Sequence, residues 1–105
     1  MRVGIIGGKE LNPTPYERVA KAHGAAVEFH DGKMAGRGSE ALDTLVKRCD
    51  LVVIVTQINS HAAVRRAQKY CRSTGRRVMI VRRFGLHQFS ILVQGGDAAA
   101  LPIAG

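Results

Sequence analysis

Residues 51 to 66 read Leu-Val-Val-Ile-Val-Thr-Gln-Ile-Asn-Ser-His-Ala-Ala-Val-Arg-Arg, and this order of residue types decides the fold class. The first five residues are apolar and mostly β-branched, which is typical of a parallel-sheet strand that helices cover on both faces. Hydrogen-bonding side chains follow, and Asn59 or Ser60 is placed to cap a basic helix. Because open parallel sheets bind ligands outside the carboxyl ends of their strands, this polar segment is a candidate site.

The rest of the chain repeats a strand and helix pattern around that segment. Predicted strands cover residues 2 to 6, 25 to 30 and 77 to 82, and the four strands begin about 25 residues apart with helical patterns between them. A closing helix is predicted near residues 86 to 93. Right-handed crossovers favour the strand order 2-1-3-4. The sequence therefore predicts a single-domain Rossmann-like or flavodoxin-like α/β fold over residues 1–94, an open parallel sheet of four strands with helices on both faces, followed by a weakly ordered tail over residues 95–105.

Helix-start signals and one loop are also readable. Thr14-Pro15-Tyr16-Glu17 combines an S/T-x-x-E capping box with a proline at the first helical position, which predicts that Thr14 caps the first helix. Ser39 is the predicted cap of the second helix. Residues 33 to 38 are rich in glycine and positive charge without apolar periodicity, so we expect a mobile loop there.

The composition indicates one small domain with an aliphatic core. The chain has 105 residues, of which 46% are hydrophobic, and it contains no tryptophan. No apolar run approaches the roughly 20 residues of a membrane-spanning helix, so we expect a cytoplasmic protein without membrane contacts. Cys49 and Cys71 lack C-x-x-C spacing and occupy apolar helical positions, which predicts two small buried hydrophobic side chains.

The predicted strand order places several polar segments at one edge of the sheet. Strands one and three are neighbours in this order, so the loops after Ile6 and Val55 should face each other. His30 and Asp31 should lie one strand further along. The sequence therefore predicts a ligand-binding crevice between the carboxyl ends of strands one and three.

The residue types in this crevice favour a small anionic ligand, such as a nucleotide or a phosphate-bearing metabolite, held by a regulatory or non-catalytic domain. Backbone amides of the paired glycines and those near Ser60 would receive the anion. Polar side chains after the third strand would orient it, and Arg82 or Arg83 would supply charge. The predicted ligand-binding residues are Gly7, Gly8, Lys9, His30, Asp31, Thr56, Asn59, Ser60, His61, Arg82 and Arg83.

Two other function classes stay open. Eight of the 16 lysines and arginines lie between Arg65 and Arg83 with no acidic residue among them, and the net charge is +8. This segment is either a solvated face or a nucleic-acid-binding surface, whose affinity would fall steeply with salt. His30, Asp31 and His61 are weak candidates for a metal site in a metal-dependent enzyme. The predicted nucleic-acid contacts are Arg65, Arg66, Lys69, Arg72, Arg76 and Arg77.

A homodimer is the predicted assembly. A sheet of four strands leaves its edge strands without partners, and the apolar tail from Ala98 to Ala104 would be covered more easily by a second copy.

Several motif matches fail in context. Gly7-Gly8-Lys9 lacks both the G-x-G-x-x-G and the P-loop pattern. Residues 71 to 77 match the C-x5-R string of cysteine phosphatases, but Cys71 lies near the end of a helix rather than before one, where no helix dipole would lower its pKa. The third strand lacks the aspartate of a receiver domain, and no Ser/His/Asp set or carboxylate pair predicts a hydrolase. No residue set therefore predicts catalysis or a particular cofactor.

Four short motifs together resemble a family of small bacterial proteins, the domain of unknown function 2325. They are Ile5-Ile-Gly-Gly8, His30-Asp-Gly32, Asp50-Leu-Val-Val-Ile-Val-Thr56 with Ser60-His61, and Val81-Arg-Arg83, within a match from about residue 2 to residue 93. The resemblance implies a Rossmann-like α/β domain and no established activity. It departs where family members often have serine after the paired arginines, since this chain has Phe84-Gly85. The residues that match the family pattern are Gly7, Gly8, His30, Asp31, Gly32, Thr56, Ser60, His61, Arg82 and Arg83.

Overall fold

The structure, a computed structural model, describes residues 1–8, 12–57 and 59–95. Its elements are β1 (Arg2–Ile6), α1 (Pro13–Ala22), β2 (Ala26–His30), α2 (Gly38–Arg48), β3 (Leu51–Val55), α3 (His61–Thr74), β4 (Arg77–Val81) and α4 (Leu86–Gly95). The four strands are parallel and lie in the order β2-β1-β3-β4. The predicted α/β class and strand order are confirmed.

The boundary between domain and tail stays a prediction. Gly95 ends α4, and residues 96–105 lie outside the described residues. Among the residues that are described, no helix combines the length and apolar character needed to cross a membrane.

β3 is the centre of the sheet and contributes to two cores. All five of its residues are buried, as its unbroken apolar sequence predicted. Leu51, Val53 and Val55 pack with side chains of α1 and α4 on one face. Val52 and Ile54 pack with side chains of α2 and α3 on the other face. The alternation of side chains along a strand thus gives the three-layer arrangement, with helices on both faces.

The cores are small and tightly filled on both faces. Three aromatic side chains meet on the first face, where the Tyr16 ring lies 5.5 Å from those of Phe29 and Phe89. On the second face Cys49 and Cys71 are buried beside α2 and α3 residues. The prediction that both cysteines act as small buried hydrophobic side chains is confirmed.

Two predicted helix caps are wrong. α1 begins at Pro13, and the Asn12 side chain accepts a hydrogen bond from the Thr14 amide at 3.2 Å, so the cap lies two residues before the predicted one. Asparagine caps a helix as well as threonine does. Pro13 at the first helical position has no amide hydrogen of its own that would need a partner. α2 begins at Gly38 and has no side-chain cap, so Ser39 lies inside the helix. Ser60 caps α3, because its Oγ accepts from the Ala63 amide at 3.0 Å.

We expect Asn12→Ala to lower the free energy of unfolding by about 1 kcal/mol, since it removes the side-chain acceptor of the α1 cap. Thr14→Ala is the matched control, and it should change stability by less than about 0.5 kcal/mol because the Thr14 side chain is exposed and only its backbone takes part in the cap. Urea unfolding of both variants measures the difference. A larger loss in Thr14→Ala than in Asn12→Ala would contradict the Asn12 cap and support the predicted capping box at Thr14.

Candidate functional site

A cavity of about 660 Å³ opens at the edge of the sheet formed by the carboxyl ends of the strands. It lies beside the ends of β1 and β2 and the start of α2, and we call it the β1/β2 cavity. Its lining residues are Gly7, Gly8, Phe29, His30, Asp31, Lys33, Ala35, Arg37, Gly38 and Ala41.

Part of the predicted site lines this cavity. Gly7, Gly8, His30 and Asp31 are brought together there. Lys9 lies outside the described residues. The other predicted ligand-binding residues do not line the cavity; they are Thr56, Asn59, Ser60, His61, Arg82 and Arg83. The structure therefore divides the predicted set into a group at β1 and β2 and a group at β3 and β4.

The side chain of Asn59 explains this division. Its Nδ2 donates hydrogen bonds to the Val55 carbonyl at 2.9 Å and to the Ile6 carbonyl at 3.3 Å. Its Oδ1 accepts from the Ser60 amide at 2.8 Å. The amide group thus joins the carboxyl ends of β1 and β3, and we call this arrangement the Asn59 clamp. It occupies the crevice in which the strand order predicted a ligand.

Two glycines make room for the clamp. A Cβ at Gly7 would lie 2.5 Å from Asn59 Nδ2, and a Cβ at Gly32 would collide with Asn59 Oδ1. Both residues also have positive φ, +96° and +89°, which side chains rarely adopt. Gly7 and Gly32 are therefore required by the packing around Asn59.

Ser60 connects the clamp to β2. Its Oγ donates to the Gly32 carbonyl at 2.7 Å and accepts from the Ala63 amide at 3.0 Å. The hydroxyl therefore caps α3 and fixes the turn after β2 at the same time. The side-chain polar atoms of Asn59 and Ser60 thus form hydrogen bonds with backbone groups of the protein.

His30 joins the end of β2 to the start of α2. The ring is 9% exposed, Nδ1 accepts from the Gly32 amide at 2.9 Å, and Nε2 lies 2.7 Å from the Gly38 carbonyl. A carbonyl oxygen only accepts, so Nε2 is the donor of the hydrogen bond to Gly38. Both ring nitrogens are therefore occupied, which leaves His30 no lone pair for a metal. Among the described residues, no group of three His, Cys, Asp or Glu residues is placed to hold a metal ion.

The other wall of the cavity is basic. Lys33 and Arg37 lie in the segment between β2 and α2, and both are exposed. No side chain caps α2; the Gly38 amide donates to the Ala35 carbonyl at 3.1 Å and the Ala41 amide to the Arg37 carbonyl at 2.9 Å. The positive end of the α2 dipole lies at Gly38 and Ala41, which line the cavity. The sequence predicted this segment only as a mobile loop. A helix start without a capping side chain, preceded by two cations, is the signal that could have identified it.

The polar residues after β3 and β4 are exposed and form a separate group. Arg83 Nε donates to Gln57 Oε1 at 2.8 Å, which joins the ends of the two strands. Thr56, His61 and Arg82 are exposed beside or beyond them.

The basic segment is partly engaged within the chain. Arg66 forms two hydrogen bonds with the Asp43 carboxylate, at 2.9 and 2.6 Å, which raises the pKa of its guanidinium. Arg76 donates to the Lys47 carbonyl at 2.7 Å. Arg77 also has an interaction within the fold, so three of the six predicted nucleic-acid contacts already have partners.

The two thiols lie outside the candidate site and are not poised to react. Burial raises the pKa of the Cys49 thiol to about 12 and that of the Cys71 thiol to about 11. A cysteine phosphatase needs the opposite shift, because the thiolate is the nucleophile. The structure thus agrees with rejecting the C-x5-R match at Cys71.

Asn59→Asp should lower the free energy of unfolding by about 2 to 3 kcal/mol, because a carboxylate would face the Ile6 and Val55 carbonyls in place of a donor. Gln57→Glu is the matched control, since Gln57 uses its oxygen to accept from Arg83 and glutamate keeps that acceptor. We expect the control to change stability by less than about 0.5 kcal/mol. Urea unfolding with unchanged m values checks both, and equal losses would mean that Nδ2 does not hold the two strands.

Both thiols should resist a disulfide exchange reagent at pH 8 in the folded protein. Their pKa values are raised above the ordinary value of 9.0 by burial, so the thiolate fraction at this pH is very small. In urea, where burial is lost, both should react rapidly. The same shift means that deprotonation above about pH 9 favours the unfolded chain, so the thiols should contribute to a loss of stability there. Fast labelling of the native protein would contradict the buried positions.

These features define a class, namely a small flavodoxin-like α/β domain with a cavity at the carboxyl edge of a four-stranded parallel sheet. The family described as "Uncharacterized protein conserved in bacteria (DUF2325)" matches residues 2–95. The chain belongs to this family, which confirms the resemblance seen in its motifs.

Relatives of similar length occur in several bacteria. A UPF0751 protein of Desulfitobacterium hafniense (strain DSM 10664 / DCB-2) is 26% identical over 99 residues, which cover 93% of this chain and 97% of the relative. A UPF0751 protein of Bacillus anthracis (strain CDC 684 / NRRL 3495) is 31% identical over 68 residues, or 65% of this chain and 67% of the relative. One of Bacillus cereus (strain AH820) is 29% identical over the same shares of both chains. No solved structure gave a significant match.

Proposed function

We propose that this protein is a binding domain for a small anionic ligand, a nucleotide or a phosphate-bearing metabolite, and that the ligand binds in the β1/β2 cavity. The observation that carries the proposal is the meeting of the uncapped start of α2 with Lys33 and Arg37 at one cavity. The positive end of the helix dipole and two cations favour negative charge at the same place.

The β1 wall supports the same ligand class. Gly7 and Gly8 line the cavity with backbone alone, and both have positive φ. A phosphate can approach such backbone more closely than it can approach a residue with a side chain. The volume of about 660 Å³ falls within the range of roughly 300 to 1,000 Å³ that is usual for small-molecule sites. The cavity therefore suits a metabolite larger than a phosphate ion.

The location differs from the predicted crevice for a physical reason. The Asn59 clamp occupies the space between β1 and β3, so the ligand is placed one strand further along, beside β2. Arg82 and Arg83 follow β4 at the opposite edge of the sheet. In this proposal Lys33 and Arg37 supply the positive charge that was expected from Arg82 or Arg83.

Nucleic-acid binding is the second candidate. Arg65, Lys69 and Arg72 are exposed on α3, and nothing within the described residues pairs with them. With three cations, the affinity for nucleic acid would depend only weakly on salt concentration. Tyr70, which is half-buried, is the one aromatic residue among residues 65–77 that could stack on a base. The homodimer stays a prediction, and its apolar tail lies outside the described residues.

We test anion binding with inorganic pyrophosphate by isothermal titration calorimetry. Replacing Lys33 and Arg37 together by glutamine should weaken binding at least tenfold, because both cationic residues line the cavity. The matched control replaces Arg65 and Lys69 by glutamine, which removes the same charge from the exposed face of α3. It should leave the dissociation constant within about twofold.

Two results would contradict the proposal. One is the absence of any pyrophosphate binding by the parent protein. The other is an equal loss of affinity in both double variants, since that would mean a response to net charge rather than to the cavity.

A further inference from the structure

Asp31 is out of place in a simple anion site. It is the one acidic residue among the described residues that line the β1/β2 cavity. Its carboxylate would repel a phosphate that filled the cavity by itself. A ligand that uses the whole cavity must therefore present hydrogen-bond donors to Asp31 as well as negative charge to Lys33 and Arg37.

We infer that the ligand is a ribonucleotide whose ribose hydroxyl groups donate hydrogen bonds to the Asp31 carboxylate. This inference rests on the proposed anion-binding function and names the chemical class of the ligand. A ribose carries two neighbouring hydroxyl donors, and an ionised carboxylate accepts two such bonds side by side.

The position of Asp31 in the sheet supports this role. β1 and β2 are neighbouring parallel strands, and the Gly7 amide donates to the His30 carbonyl at 2.8 Å, which holds the two strand ends together. Asp31 is the residue after that carbonyl. In doubly wound folds that bind dinucleotides, an acidic residue about 20 positions after the first strand's glycines binds the ribose in the same relation. In this chain Gly7 and Gly8 follow β1, and Asp31 follows β2, 24 positions after Gly7.

The carboxylate is held in place before any ligand arrives. Asp31 Oδ1 accepts from the Lys33 amide at 2.9 Å, while the Asp31 side chain remains exposed. The preceding residue, His30, is fixed by its hydrogen bonds to Gly32 and Gly38. Oδ1 is thus anchored to the turn, and because each carboxylate oxygen can accept more than one hydrogen bond, both oxygens can still accept from a diol. Such preorganisation lowers the entropy cost of recognising a diol.

The remaining lining residues suit a base. Ala35 and Ala41 give the cavity an apolar part; Phe29 also lines it, while the Phe29 ring packs against Tyr16 at 5.5 Å in the core on the α1 face. A nucleotide combines an apolar base, a diol and a phosphate, and the cavity lining offers a partner for each. No described contact distinguishes one base from another, so the test includes all four bases.

The test compares ribonucleoside 5′-monophosphates of the four bases with their 2′,3′-dideoxy counterparts, and inorganic pyrophosphate as the anion alone. Calorimetry on the parent protein should show at least one ribonucleotide binding about tenfold or more tightly than its dideoxy form. In Asp31→Asn the two forms should bind within about twofold of each other. Asparagine keeps Oδ1 as the acceptor for the Lys33 amide, so the turn should persist.

Two controls separate the diol contact from general charge effects. Pyrophosphate should bind Asp31→Asn as tightly as the parent or more tightly, because a repelling charge is removed. Glu17→Gln removes the same charge from an exposed position on α1 that does not line the cavity, and it should keep the preference for ribose. Unfolding curves of both variants confirm that each remains folded.

The outcomes distinguish the two proposals. If pyrophosphate binds but ribo and dideoxy forms bind equally, or no monophosphate binds, the ribose inference is wrong while anion binding stands. If the preference for ribose survives in Asp31→Asn, Asp31 is not the recognising group and the inference also fails. If neither pyrophosphate nor any nucleotide binds, the proposed function and this inference fall together.

Discussion

The hydrogen bonds of the Asn59 amide are the interaction on which the carboxyl edge of this sheet depends. Parallel strands leave carbonyl groups without partners where their ladder ends, and buried carbonyls of this kind are costly. Asn59 Nδ2 satisfies two of them, on Ile6 and Val55, and so ties β1 to β3 beyond the last ladder bond. The Asn59 side chain restricts only two other positions, Gly7 and Gly32, where a side chain would collide with it.

The clamp also affects where the carboxyl edge of the sheet is open. A doubly wound sheet usually opens a crevice at the point where its strand order reverses, here between β1 and β3. Because the chain places its own amide group there, the open volume lies beside β2 instead. In the proposed function the start of α2, which no side chain caps, is the anion-binding element. One side chain thus connects the stability of the edge with the position of the candidate site.

A second layer of contacts keeps the β1/β2 cavity in shape. His30 bridges β2 and α2 through both ring nitrogens, and Ser60 links the turn at Gly32 to the start of α3. These two residues are among those that the sequence predicted to touch a ligand. In the structure their polar atoms support the walls of the site, which is a common use of polar residues beneath a binding surface. Asp31, Lys33 and Arg37 remain as the groups that face outward.

The sequence by itself determined the strands and the helices, because periodicity and turn residues act over a few positions. The preference for right-handed crossovers then determined the order of the strands in the sheet. Buried β3 and the strand order 2-1-3-4 were predictable in this way, and Ser60 was one of the two predicted caps of α3. The α1 cap lies at Asn12 rather than at the predicted Thr14, and α2 has no side-chain cap. Only the tertiary structure decided which polar residues face a ligand. Asn59 and Ile6 are 53 positions apart, and no local pattern shows that one will bind the other and close the expected crevice. Side-chain hydrogen bonds between distant segments have no period in sequence, so the site follows from the fold and not from the motif.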